Sequence, residues 1–443
     1  MPHRQKNKMR RIFMEFFKLR RIKISDIQFG NNTMVENNIL YINKEELISL
    51  LFEEEHLQSV DVKLARPGES KRIIPVKDVV EPRAKLGKEC STFPGFFCDP
   101  NFIPGRGTTI VLDGSAVVTC GKLVNFQEGL IDMSGKGAEY SIFSKKNNVV
   151  LVLEPLPGIE KHEHERVVRE AGIKAARYLA ECARGCEDYQ EVTYEVPSIR
   201  EVLSDSQQLP KVIYVCQAIA QGLLHDNYFY GLNARGCLPI LLTSTEMMDG
   251  AVVSGNCAAP CHKNTTYHYQ NNPIVEDLLG EHGKSIQFLG VVVTPVGTAF
   301  VEKERNCSYV LKLVKALGAD GAICSEDGGG NPEVDLMELA SLFEDNGIKT
   351  VLVTDEYAGP DGASQGLAHV SPKADAIVTN GNGNERVVLP PLKETIGYIE
   401  CVEVITGGHV GSILPDGSID IEIAGIMGST NELGIDTLTT KAI

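Results

Sequence analysis

The sequence predicts an α/β fold: an N-terminal, strand-rich α+β block followed by a parallel-sheet α/β region with helices on both faces. Three observations predict it. Short β-branched runs and period-two alternation dominate from Ile22 to about Leu156. One long stretch, Glu160 to Ala183, has apolar residues spaced three and four apart. From about Pro210 onward, apolar runs alternate with helical patterns and end in polar, glycine-containing loops, the signature of a parallel sheet covered by helices.

Residues 1–13 are polar, basic and without period, and read as a disordered extension before a first domain at 14–156. In that domain Ile22–Ile27 and Val60–Leu64 alternate, and Asn38–Ile42 is short and apolar. Ile73–Val80, Thr108–Leu112 and Asn148–Leu153 are further strands, and Lys44–Glu54 is a helix. In the helix Glu160–Ala183, Val168, Ala171, Ala175, Leu179 and Cys182 form one stripe. Strands follow at Lys211–Ala220, Leu238–Leu242, Ile286–Thr294, Gly321–Ser325, Thr350–Thr354 and Ala374–Thr379, with helices at Lys303–Leu317 and Pro332–Asn346. Ligands of parallel sheets lie beyond the carboxyl ends of the strands. Those ends are the runs Ser325–Gly330, Asp355–Gly359 and Asn380–Asn384, so part of a site is expected there.

The chain has 443 residues, 43% apolar and 23% charged, a globular balance with room for two or three domains. Its net charge is −16, and residues 1–23 hold nine Lys/Arg against one acid, which leaves −24 on the rest. Such a body does not bind nucleic acid or anionic membrane by bulk charge. No apolar run is long enough for a transmembrane helix, and Glu15, Lys18 and Arg20 interrupt any signal-peptide core. The expected location is cytoplasmic, with the twelve cysteines as reduced thiols.

No phosphate loop or dinucleotide fingerprint is present, so no nucleotide is expected. Cys257-x3-Cys261-His262 offers three ligands within six residues but lacks a second pair at zinc spacing, and no metal is expected. The unusual segment is Met247 to Cys261. A short apolar strand runs into Ser254-Gly255-Asn256-Cys257, where Gly255 frees the turn and lets strain concentrate on the next peptide bond. The Cys257 thiol lies one peptide bond from the Asn256 carbonyl carbon. An N-to-S acyl shift followed by β-elimination would cut the chain there and leave a pyruvoyl group, a built-in electrophile for amines. By residue type alone, a plain loop explains the same residues.

Several ordered stretches carry a resemblance. They are Ile24–Gly30, Ala65–Glu69, Ile74–Arg83, Phe126–Gly129, Gln221–Asp226, Met248–Ala251, Ser254–Cys257, Thr354–Gly359 and Thr430–Gly434. The sequence resembles, over about 420 residues, the proprotein subunit of component B of the glycine/sarcosine/betaine reductase complex, which is cut into β and α chains. The D-proline reductase precursor is a more distant relative of that family.

The resemblance implies cleavage between Asn256 and Cys257. Residues 157–256 then hold the linking helix and first α/β strands at the end of the β chain, and 257–443 form an α/β domain as the α chain. It implies a pyruvoyl cofactor from Cys257, with Ser254 and Gly255 forming the supporting turn. The implied partners are a selenocysteine-containing component B subunit, a small selenoprotein (component A), an acetyl-phosphate-forming component C and a small amine substrate. Acid–base or substrate contacts are sought by sequence proximity at His225, Asp226, Asp249 and His262, while the carboxylate anchor and the choice among glycine, sarcosine and betaine stay open. The 13 leading residues and the stretch Ala258–His262 depart from the family pattern. Two other readings compete: an uncleaved two-lobe amino-acid-binding or scaffold protein, and a metal or thiol-redox enzyme using Cys261 and His262.

Overall fold

The computed structural model describes residues 15–87, 92–96, 104–123, 128–196, 199–204, 208–221, 227–255, 262–431 and 433. The expected extension at 1–13 lies outside them.

The chain is a mixed α/β protein in which three larger sheets carry most of the strands. A four-stranded sheet runs Gln190–Val196, Glu15–Lys23, Gly107–Asp113, Arg83–Lys85. The expected strand Ile22–Ile27 is two strands, Glu15–Lys23 and Asp26–Phe29. Between them Ile24 N–H bonds to Asp113 and Ser25 N–H to Asn38, so the chain leaves one sheet for another. A six-stranded sheet is built around Lys71–Val80 and Asn147–Pro155. Helix Lys161–Glu181 buries the predicted stripe Val168, Ala171, Ala175 and Leu179 in the first core with Val117, Val149 and Leu151. The Val and Leu side chains each contribute about 1.5–3 kcal/mol when fully buried, and each Ala methyl about 0.8 kcal/mol.

The second six-stranded sheet positions the site. Lys211–Ile219 lies at its centre, parallel to Gln287–Val296 on one side and Gly321–Ser325 on the other. Lys349–Glu356 and Ile377–Asn382 extend it in parallel. Ile240–Leu242 closes the other edge antiparallel, so the sheet is mixed rather than wholly parallel. Alternation sorts the central strand's side chains. Ile213 and Val215 pack with Val310, Val314, Leu336 and Phe343 from helices Phe300–Ala316 and Asn331–Asp345. Tyr214, Cys216 and Ala218 point the other way, onto Val275 and Leu278 of helix Pro273–Glu281 and onto Phe17, Leu19 and Val111. The second face, expected to be helical, is thus covered by one helix together with the four-stranded sheet.

Segments before and after Asn256 interlock. The central strand comes from before it and both neighbours from after it. Glu394–Gly397 also pairs in parallel with Lys71–Val80. Gly397 is required at that join: its φ is +102°, and a Cβ there would sit 1.9 Å from the Ile74 carbonyl oxygen.

Candidate functional site

The carboxyl ends of the central strands run into polar residues, and buried carboxylates gather the loops. Gly321–Ser325 continues into Glu326-Asp327, whose side chains are fully or almost fully buried. Asp327 Oδ2 accepts from Ile219 N–H at 2.8 Å, Asn227 Nδ2 at 2.8 Å and Tyr269 OH at 3.3 Å. Its Oδ1 accepts from Asn264 N–H at 3.2 Å. One carboxylate therefore ties the end of the central strand to segments on both sides of residue 256. Burial raises its pKa, and the hydrogen bonds oppose that shift.

The three polar runs predicted at strand ends meet in the same region. Ala358 N–H donates to Asn382 Oδ1 at 2.9 Å and Gly359 N–H to Asn384 Oδ1 at 3.0 Å. Asn380 Nδ2 donates to the Asn431 carbonyl at 2.8 Å. Asn431 Nδ2 in turn donates to the Lys263 carbonyl and to Asn264 Oδ1, each at 2.9 Å.

Both flanks of the 256–261 segment are pinned. On the upstream side, Val252–Val253 pairs antiparallel with Tyr228–Phe229. Ser254 N–H donates to Thr266 Oγ1 at 3.1 Å, and that hydroxyl donates to Asp78 Oδ2 at 2.6 Å. Asp78 Oδ1 takes Thr266 N–H at 3.0 Å. Residues 254 and 266 are thus held by one buried carboxylate reaching across from Lys71–Val80. Burial pushes the Asp78 carboxyl up to about 6, while the Lys263 charge and the Thr266 bonds pull it back. On the downstream side, Lys263 Nζ donates to the Lys77 carbonyl. Nearby, Lys77 pairs with Glu128 at 3.0 Å and Glu165 accepts from Arg169 at 2.9 Å and Tyr228 OH at 2.7 Å.

Of the residues singled out in the sequence, Asn256, Cys257, His225 and Asp226 lie outside the described residues, as does Cys261. Ser254 and Gly255 are buried, and the Ser254 hydroxyl donates to the Gly255 carbonyl at 2.9 Å. Asp249 is fully buried with both carboxylate oxygens engaged: it is ion-paired with Lys85 and accepts from Gly105 N–H at 2.5 Å and Thr109 Oγ1 at 2.7 Å. That is the environment of a structural cross-brace. His262 is brought to the strand ends, where its Nδ1 pairs with Asp355 and its ring stacks on Tyr357, centroids 4.6 Å apart at 14°. Among the described residues no group of three or more His, Cys, Asp or Glu side chains has metal-binding geometry. No helix among them is long and apolar enough to cross a membrane.

Sequence reasoning flagged the loops holding Glu326, Asp327 and Asp355 but missed Asp78, Thr266 and Asn431 as anchors. A signal for Asp78 existed. Lys77-Asp78 interrupts the apolar strand Ile73–Val80, and charges at such a position need buried partners.

These features define an α/β protein with a buried, hydrogen-bonded polar site at the carboxyl ends of a wound sheet, around a segment fixed at both flanks. The sequence profile described as glycine/sarcosine/betaine reductase component B subunits matches residues 14–441. The chain is 49% identical over 422 residues to the glycine reductase complex component B subunits alpha and beta of Acetoanaerobium sticklandii, covering 95% of this chain and 98% of that one. It is 45% identical over 423 residues to the sarcosine reductase complex component B subunit alpha of Peptoclostridium acidaminophilum, covering 96% and 99%. To the betaine reductase complex component B subunit alpha of the same organism it is 35% identical over 432 residues, covering 94% and 98%. No solved structure gives a significant match. The chain belongs to the glycine/sarcosine/betaine reductase component B family, whose members are subunits of an oxidoreductase complex.

Proposed function

We propose that this chain is a self-cleaving, pyruvoyl-bearing subunit that captures glycine, or a close N-methylated relative, for reductive C–N cleavage. The observation that carries the reading is the double anchoring of the 256–261 segment. Ser254 and Thr266 share the Asp78 clamp, and Asn264 hangs from Asp327. Holding both ends of a six-residue segment lowers the entropic cost of bringing the Cys257 sulfur onto the Asn256 carbonyl carbon.

In the cleavage, that sulfur bonds the carbonyl carbon, the amide C–N bond breaks and the nitrogen takes up a proton. Loss of the Cys257 Cα proton then expels the sulfur, which departs on the Asn256 acyl group and ends the β chain there. The dehydroalanine left on the α chain tautomerises to an imine, which one water converts to the carbonyl with release of ammonia, and a second water cleaves the acyl–sulfur bond to the Asn256 carboxylate with release of hydrogen sulfide. The resulting carbonyl supplies an electrophile for the substrate amine. The proposed partners are a selenocysteine-containing component B subunit, a small selenoprotein (component A) and an acetyl-phosphate-forming component C, with a cytoplasmic setting.

A fluorescent hydrazide tests the reading. Denatured wild-type protein should run as two chains with label only on the 257–443 chain, and Cys257→Ala should run as one unlabelled chain. One unlabelled wild-type chain would favour the uncleaved binding-protein reading.

A further inference from the structure

Alternate residues of the central sheet face helices Phe300–Ala316 and Asn331–Asp345. One row across that face is apolar. Val292, Val215, Cys324 and Leu352 stand side by side on four parallel strands and pack with Val310 and Leu336. Two residues further on, at the carboxyl ends, the row turns polar. It reads Thr294, Gln217, Glu326 and Thr354, none more than 3% exposed. Glu326 N–H still bonds the Val353 carbonyl, so the sheet holds the row in line. Asn306 lies one helical turn before Val310, which sets it over the polar row. Its Nδ2 donates at 2.8 Å to the carbonyl of Pro295, the neighbour of Thr294.

These side chains leave four buried polar atoms without a hydrogen-bond partner among the described residues: Gln217 Oε1 and Nε2, Asn306 Oδ1 and Glu326 Oε1. Glu326 Oε2 is taken by Thr354 Oγ1. Gln217 and Glu326 sit on adjacent strands, about 4.8 Å apart, yet do not bond each other, so a gap separates their ends. Bare polar atoms inside a protein are costly, and a guest belongs in the gap. Three oxygens against one N–H suit a guest rich in donors. A single carboxylate matches a single positive charge. Lys303, on the same helix, does not supply that charge, because its ammonium is held by Asp335 and the Asn331 carbonyl.

We propose that Gln217, Asn306 and Glu326 form a noncovalent site for a small primary ammonium group, carried by free ammonium or by an amine such as glycine. The site goes beyond the Cys257 chemistry and does not depend on it. The three oxygens meet the three N–H donors of –NH3+, and Gln217 Nε2 is left to donate to a carboxylate on the same guest. Three oxygens are too few for calcium or magnesium, and one carboxylate cannot balance a divalent charge. Burial, with Asp355 and Glu333 nearby, holds the Glu326 carboxyl well above the usual range, and a cation in the gap relieves that cost. Each methyl group on the nitrogen removes a donor. Glycine offers three, sarcosine two and betaine none.

The test is equilibrium dialysis with radiolabelled methylammonium. It uses the full chain carrying Cys257→Ala, where no carbonyl forms at 257, so failure of the pyruvoyl reading leaves the result untouched. The row is almost fully buried, so samples are dialysed until the signal is constant. Ammonium, glycine, sarcosine, betaine, tetramethylammonium and potassium compete at equal ionic strength. The expected result is saturable binding, displaced by ammonium and glycine, less well by sarcosine, and not by betaine, tetramethylammonium or potassium. Glycine outcompeting ammonium assigns the site to an amine-bearing molecule, and the reverse order assigns it to the free ion. Gln217→Leu and Asn306→Leu should each weaken binding about 10-fold, and Glu326→Gln about 100-fold. No saturable binding, displacement by potassium or tetramethylammonium as strong as by ammonium, or unchanged affinity in all three variants would overturn the proposal. The competition series needs none of the three variants, so it decides the matter even where one does not fold.

Discussion

Replacing Thr266 by valine removes one hydroxyl and cuts the clamp at its centre. That hydroxyl donates to Asp78 Oδ2 at 2.6 Å and accepts from Ser254 N–H at 3.1 Å. Valine fills nearly the same volume, so the change isolates the polar term. It strands one carboxylate oxygen and one backbone N–H in a site where Asp78 and Ser254 are each 2% exposed. At about 1–3 kcal/mol for each of the two stranded groups, the loss is about 2–6 kcal/mol. The Asp78 carboxyl, already near 6, moves higher once a bond to its charged form is gone. The penalty should therefore be larger at pH 8 than at pH 5. Urea unfolding followed by circular dichroism measures it, in a Cys257→Ala background so that a single chain unfolds. With Cys257 restored, the yield of two chains should fall, while Thr266→Ser should restore both stability and cleavage. A Thr266→Val protein as stable as Thr266→Ser and cleaved at the same rate would refute the clamp.

Other consequences can be checked alongside. Asp249→Asn strands the buried Lys85 ammonium and should cost about 3 kcal/mol, read as a lower urea midpoint; unchanged stability with lost activity would instead make Asp249 catalytic. Burial pushes the folded Asp78 carboxyl up to about 6, above the ordinary ~3.9 of a free aspartate, so its contribution is fully present below pH ~4 and is lost as pH rises through about 6. The wild-type minus Asp78→Asn difference in unfolding free energy should change by about 3 kcal/mol over that window, and a flat difference would contradict the buried, protonatable environment. The two chains should co-elute at the whole-chain mass in gel filtration and separate only in denaturant, because Lys211–Ile219 is hydrogen-bonded between two strands of the later segment. Separate elution in native buffer would contradict that pairing.

Where local periodicity sufficed, the sequence was legible. Val168, Ala171, Ala175 and Leu179 mark one face of helix Lys161–Glu181, and Gly321–Ser325 is the strand that its apolar run predicts. Where tertiary pairing decides, it was not. The break at Ile24–Ser25 depends on Asp113 and Asn38 taking their N–H groups. Ser115–Gly121, fully buried, shows no alternation, and beyond residue 379 the short pair Arg386–Leu389 with Ile419–Glu422 is set by a core shared with Ile74 and Leu130. The site divides in the same way. Acidic, glycine-containing runs at strand ends pointed to Glu326, Asp327 and Asp355. Asp78 and Thr266 are 188 positions apart and meet only because Lys71–Val80 packs beside helix Thr266–Gln270. Asp249, singled out by its place eight residues before Cys257, has its carboxylate engaged by Lys85, Gly105 and Thr109, partners that sequence proximity does not reveal.

The central claim is that Cys257 becomes the electrophile. Intact-mass spectrometry of freshly purified, denatured protein with and without borohydride tests it most directly. The account predicts two chains divided between Asn256 and Cys257, with the 257–443 chain gaining two hydrogens on reduction. A single 443-residue mass, unchanged by borohydride and persisting after incubation with the partner subunit, would contradict it.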